Sequence, residues 1–207
     1  MTRRHVALAL LAALLLAPLK QALAVEASPF VGAMLPANSM LLAGDGSAYL
    51  RMQTHTVYGL GLGTSVTDRI GAEVVLGAGS GKMELQGSGS SFAFPTTMFF
   101  ADLRARARML GGNQSSLGLV LGVGYTDFKL GLFDLAHETD QGDFIGRLTG
   151  VAGVDLRTQL SERLGLKVVI VDRLHKHGAS LDLGPGYSDK TQNDVFATAG
   201  LAFSLAD

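Results

Sequence analysis

Hydrophobic and polar residues alternate with a period of two along most of the chain, most clearly from Phe99 to Met109. Phe99, Ala101, Leu103, Ala105, Ala107 and Met109 form one set of alternate positions, while Asp102, Arg104, Arg106 and Arg108 belong to the other. Successive side chains of a strand point to opposite faces, so the pattern predicts a strand with one apolar and one charged face. Gly111-Gly112-Asn113-Gln114-Ser115 supplies a turn. Beyond it, Leu117, Leu119, Leu121, Val123 and Tyr125 alternate with Gly118, Val120, Gly122, Gly124 and Thr126. A hairpin centred on Asn113 sets Arg108 opposite Gly118, Arg104 opposite Gly122 and Asp102 opposite Gly124. Long charged side chains then lie over bare backbone on one side of the sheet, and the other side is oily.

The same two-faced pattern recurs elsewhere. Tyr58, Leu60 and Leu62 oppose Gly59, Gly61 and Gly63; Ile70, Ala72, Val74 and Leu76 oppose Gly71, Glu73, Val75 and Gly77. Leu148, Ala152, Val154 and Leu156 oppose Arg147, Thr149, Asp155 and Arg157. Leu164, Leu166, Val168 and Ile170 oppose Lys167, Val169, Val171 and Arg173. In the last segment Val195, Ala197, Ala199, Leu201, Phe203 and Leu205 oppose Thr198, Gly200 and Ser204. Short turn signals at Thr67-Asp68-Arg69, Gly111 to Ser115 and Ser161-Glu162-Arg163 divide residues 25–207 into four near-equal units. Each unit holds two strands joined by a longer loop. Strands are expected at 27–36, 54–66, 70–82, 95–110, 116–130, 143–160, 164–178 and 194–205. The longer loops then fall at 37–53, 83–94, 131–142 and 179–193, although Ala48 to Met52 could extend the second strand.

The expected fold is all-β: an eight-stranded antiparallel up-and-down transmembrane β-barrel. Each strand supplies the ~9–11 tilted residues that crossing a bilayer requires. An even strand number, short turns at one end and longer loops at the other match barrels of the bacterial outer membrane. A soluble lipocalin-like barrel binding an apolar ligand would alternate too, with the faces reversed. Two features disfavour it: the non-apolar face is largely glycine, and the apolar face is almost free of the charges that water-exposed strands carry. Phe99, Tyr125, Phe144 and Phe203 fall near strand ends, where aromatic girdles sit.

Composition adds limits. The net charge of −1 suggests no nucleic-acid partner, and the absence of cysteine leaves no disulfide framework, thiolate metal site or lipid-anchor cysteine. Residues 1–24 read as a cleavable signal peptide: Arg3 and Arg4 give a basic start, Ala7 to Ala17 an apolar core, and Ala22-Leu23-Ala24 a small-residue cleavage site. Thr2-Arg3-Arg4 only faintly suggests a twin-arginine signal.

A leader, eight alternating strands over 25–207 and a final Leu201-Ala202-Phe203-Ser204-Leu205 strand together resemble the small bacterial outer-membrane β-barrel proteins, the OmpA/OmpX-like eight-stranded class. The resemblance implies the outer membrane of a Gram-negative bacterium, contact with outer-membrane lipid and lipopolysaccharide, and insertion by barrel-assembly machinery. It implies a monomer, no cofactor, and a non-enzymatic role in envelope integrity, surface interaction or limited anion permeation. One departure concerns assembly. Such chains usually end on an aromatic residue, whereas Phe203 is followed here by Ser204-Leu205-Ala206-Asp207.

The candidate site is the set of charges on the inner face: Glu73, Asp102 and Asp155 against Arg104, Arg106, Arg108, Arg147, Arg157, Lys167 and Arg173. An eight-stranded barrel is just wide enough for side chains to fill it, so this set is expected to form a salt-bridge network closing the lumen. Its excess of cations alternatively suits a narrow anion-preferring pore or an ion-pair gate.

Other motifs carry less. His175 and His177 share a face near Asp172 and Ser180, which raises a metal site or a lipid A deacylase-like enzyme. That family places its serine two residues after the histidine; position 179 is Ala and Ser180 falls on the opposite face. No third metal ligand is evident. Gly77-Ala78-Gly79-Ser80-Gly81-Lys82 has three residues between the key glycines instead of the four of a phosphate-binding loop, and Met83 follows the lysine. Asn113-Gln114-Ser115 matches a glycosylation sequon that a tight turn explains. The acidic stretch 134–143 reads as a solvated loop with some capacity for divalent cations bridging lipopolysaccharide.

Overall fold

A computed structural model describes residues 25–37, 41–43, 49–87, 89–112, 114–130, 144–176, 187–189 and 191–205. The expected leader (1–24), the stretch 131–143, and His177 and Ser180 lie outside the described residues.

Eight long strands form a closed antiparallel ring. In chain order they are β1 (Val25–Pro36), β4 (His55–Ser65), β5 (Ile70–Gly87), β6 (Ser90–Gly111), β7 (Ser115–Leu130), β8 (Phe144–Gln159), β9 (Leu164–Lys176) and β11 (Thr191–Ser204). Sequence neighbours pair around the wall, and β1 closes it against β11 with Val31 opposite Ala199 and Ala33 opposite Ala197. Closure satisfies the backbone hydrogen bonds of the ring's own wall, which is the condition for strands to lie in lipid. Three short strands, β2 (Leu41–Ala43), β3 (Tyr49–Met52) and β10 (Tyr187–Asp189), extend the sheet at the long-loop end through pairings β10–β2, β2–β3 and β3–β5.

The outer surface is apolar. Leu103, Leu119, Leu121, Val123, Leu148, Val154, Leu156, Leu166, Ile170 and Leu201 all point outward and are exposed. Tyr58, Phe99 and Tyr125 form a partial girdle at the outer edge of this band, on β4, β6 and β7: Tyr58 and Phe99 flank Ala78 on one rung, and Tyr125 lies one rung inward opposite Ala101. Beyond that girdle the outward positions of β3 and β5 become polar, with Arg51, Lys82 and Glu84. Charged residues such as Asp102, Arg104, Asp155 and Arg173 are buried inside. The lipocalin-like alternative, with an oily interior and a polar exterior, is thereby overturned.

The β6–β7 register pairs Asp102 with Gly124, Arg104 with Gly122 and Arg108 with Gly118, then shifts by one residue between Arg108 and Leu110. That bulge turns two consecutive residues outward, and Met109 and Leu110 are each about two-thirds exposed. Gly111 follows with φ of +94°, a conformation a side chain would strain, and hands the chain to the turn. The other short turns are closed by Val66 N–H donating to Ile70 O (2.8 Å) and Leu160 N–H donating to Leu164 O (2.8 Å).

Three of the expected loops need correction. Residues 83–94 are mostly strand: β5 and β6 continue as a tall hairpin pairing Met83 with Phe94, Leu85 with Phe92 and Gly87 with Ser90. The Gly- and Ser-rich stretch 87–91 marks only the hairpin tip, where Gly89 has φ of +86°. Within 37–53, Tyr49–Met52 forms a separate strand beside this hairpin instead of a simple extension of β4. In 179–193, β10 forms and β11 already starts at Thr191.

Candidate functional site in the barrel lumen

Parity along each strand decides what enters the lumen, and the inner face is organised in three layers. Nearest the short turns, Asp155 Oδ2 accepts from Arg106 Nε at 2.5 Å and from Arg157 Nε at 2.9 Å. Arg157 Nη1 continues to Glu26 Oε2 at 2.6 Å, and Arg106 Nη2 donates to Ser116 Oγ at 2.8 Å. Lys167 Nζ binds Glu73 and lies 3.9 Å from Glu26, while Ser28 Oγ donates to Glu73 Oε1 at 3.3 Å. Each carboxylate therefore serves more than one neighbour, and strands β1, β5, β6, β8 and β9 are tied across the lumen.

The middle layer centres on Asp102. Asp102 Oδ2 is shared by Arg104 Nη2 at 2.7 Å and Arg173 Nη1 at 2.5 Å, and Arg173 Nη2 also donates to Thr126 Oγ1 at 2.7 Å. The Arg173 guanidinium lies 4.8 Å from the ring centroids of both Phe100 and Phe196. Those rings meet edge to face at 5.3 Å, and Phe30 adds a third ring 6.4 Å from Phe100. A guanidinium is planar and weakly hydrated, so it stacks on aromatic faces while its edge serves the carboxylate. The cavity left among Ser28, Phe30, Phe100 and Lys167 is about 20 Å³, room for about one water.

Glycines make these layers possible. A Cβ at Gly124 would strike Asp102 Oδ1, one at Gly118 would strike Asp155 Oδ1, and one at Gly77 would strike the Phe100 ring. Bare backbone on one strand is the space that its neighbour's long side chain fills.

The outer layer is of another kind. Met34, Met52, Met83, Met98, Phe94 and Phe128 are buried there with His55, Thr149, Gln192 and Asp194. His175 Nε2 lies 3.7 Å from Asp194 Oδ2, and its ring is 6.0 Å from that of Phe128. Gln192 Nε2 donates to Asp194 Oδ1 at 2.8 Å.

Of the ten charges singled out from sequence, Glu73, Asp102, Arg104, Arg147, Asp155, Lys167 and Arg173 are buried in the lumen, and Arg106 and Arg157 are part-buried at its inner end. Arg108 lines the recesses at the short-turn mouth, with volumes of about 120 and 220 Å³. His175 faces inward, whereas Asp172 occupies the opposite face of β9, so the two do not converge. The Gly77–Lys82 stretch is plain strand within β5. No group of three or more His, Cys, Asp or Glu suited to a metal occurs among the described residues.

Sequence reasoning missed Glu26, Asp194, Gln192 and the lumenal methionines. Their signal was parity: Thr96, Met98 and Phe100 share the alternate set of Asp102 and Arg104. Glu26 escapes because the expected first strand begins at 27, two residues after the observed start at Val25.

Comparison with solved structures places this geometry. Neisserial surface protein A (NspA) superposes with a TM-score of 0.54 at 8% identity, covering 87% of this chain and 96% of that one. Outer membrane protein OprG from Pseudomonas aeruginosa gives 0.53 at 17% identity, covering 89% and 98%. The chain has the fold of the small outer-membrane β-barrels. At such identities the likeness concerns the fold alone. No family model matches the sequence, and no curated protein matches it either.

Proposed function

We propose that this is a non-enzymatic barrel of the Gram-negative outer membrane, exported by its cleaved leader (1–24), whose lumen is sealed by its own ion pairs. In this reading it is a monomeric structural and surface-presenting element of the envelope, inserted by barrel-assembly machinery and bathed in lipopolysaccharide. The observation that carries the proposal is the Arg173 plug, packed against the Phe100 and Phe196 rings and held by Asp102, beside a cavity of about 20 Å³. Basic groups in the lumen are largely neutralised by shared carboxylates, which weakens the case for an anion pore. What the sealed wall offers the outside is the tall β5–β6 hairpin, with Phe92 and Leu85 exposed on it.

Planar-bilayer recording tests this. The purified protein is expected to give no resolved current steps, whereas Arg173→Ala combined with Phe100→Ala opens a small conductance. Frequent steps from the unaltered protein would overturn the sealed-lumen reading, and an anion preference in those steps would restore limited anion permeation in its place.

A further inference from the structure

The outer layer contains a constellation the ion-pair network does not use. His55 is fully buried, and its Nδ1 lies 2.7 Å from the carbonyl oxygen of Gln53. A carbonyl only accepts, so the proton sits on Nδ1 and Nε2 carries a lone pair. That nitrogen has no hydrogen-bond partner among the described residues, although buried polar atoms are normally satisfied. Four thioethers of the same layer are also fully buried: Met34, Met52, Met83 and Met98.

The strand register brings them together. Met34 is directly opposite His55 across β1–β4, and Met52 is directly opposite Met83 across β3–β5. On the inner face of β5, Gly79, Gly81 and Met83 are successive rungs. The His55 imidazole lies over Gly81, 2.5 Å from where a Cβ would stand, and the Met98 methyl lies over Gly79, 2.8 Å from its missing Cβ. Imidazole and thioethers thus share one short stretch of wall from which glycine has removed competing side chains. The Met52 sulfur accepts from Gln192 Nε2 at 3.8 Å, which directs that sulfur across the lumen.

We propose that His55 Nε2 and thioethers drawn from Met34, Met52, Met83 and Met98 form a binding site for a soft monovalent d¹⁰ cation, Cu(I), for which Ag(I) is the redox-stable probe. Thioether sulfur selects Cu(I) over harder ions. An imidazole whose other ring nitrogen donates to a backbone carbonyl is held in the orientation and tautomer that metal-ligating histidines use. The chain contains no cysteine, so no thiolate competes for the ion.

The test is titration of the full protein, purified in detergent, with Ag(I) followed by calorimetry and with Cu(I) in competition with a chromophoric chelator. One equivalent of each ion is expected, with Zn(II) failing to displace it. Met52→Leu, Met83→Leu and Met98→Leu keep side-chain volume and are expected to weaken binding at least about tenfold each. Heat-modifiable gel migration confirms that each variant is folded. His55→Phe is expected to abolish the stoichiometric site. Absence of Ag(I) binding, an affinity unchanged in the triple Met→Leu variant, or displacement by one equivalent of Zn(II) would overturn the proposal.

Discussion

Arg173 and Asp102 form an ion pair at 2.5 Å with almost no solvent access to either side chain. Asp102 also holds Arg104, so one carboxylate anchors two guanidiniums from β6 and β9. Burying charge is tolerable only when partners replace water, and removing one partner leaves the others exposed to that cost.

Asp102→Ala is therefore expected to destabilise the barrel by about 3–5 kcal/mol, and more than Arg104→Ala does, because it strands two buried cations instead of leaving Asp102 with Arg173. Urea unfolding in lipid vesicles measures both. Equal effects, or a smaller one for Asp102→Ala, would contradict the shared-carboxylate arrangement.

Glycines on the two faces of the wall are expected to respond unequally. Gly124→Ala pushes a methyl into Asp102 and should cost about 1–3 kcal/mol by overpacking. Gly150 faces outward, and a Cβ there meets only Leu174 O at 3.8 Å. Gly150→Ala should be neutral or stabilising by about 0.5 kcal/mol. Comparing the two unfolding midpoints decides the matter; similar values would mean that lumen crowding does not determine where glycine stands.

Leu121 lies midway along β7 and faces outward, half exposed. In a bilayer, Leu121→Arg should cost about 2–4 kcal/mol, while Leu110→Arg near the short-turn rim should cost about 0–1 kcal/mol. If both positions tolerate arginine equally in vesicles, the apolar band is not a lipid-facing one.

The absence of native cysteine makes single-cysteine labelling clean. Ser90→Cys at the β5–β6 tip should react with an impermeant maleimide on intact cells, and Ser161→Cys in the β8–β9 turn only after the outer membrane is opened. The reverse pattern would invert the proposed orientation.

Much of the architecture was legible because a strand's side chains alternate strictly and a lipid-facing wall tolerates no charge. Asp102, Arg104 and Arg106 could be assigned to one face, and the Arg104–Gly122 pairing to one register, from residues 99–126 alone. The tall hairpin was misread because Gly87 to Ser91 looks like a loop; pairing across it, Met83 to Phe94 and Leu85 to Phe92, is what extends it into strand.

Parity along one strand says which side a residue takes, and nothing about what reaches it from the far wall. That Arg173 of β9 meets Asp102 of β6 beside the Phe100 and Phe196 rings, or that Lys167 of β9 meets Glu73 of β5, depends on closure of the ring. His55, Met52, Met83 and Met98 come together more locally, because β3, β4 and β6 each pair with β5. Alternation is a local property that the order of residues carries by itself, while contact across a lumen belongs to the curvature, tilt and register of eight strands together, and only the folded barrel sets those.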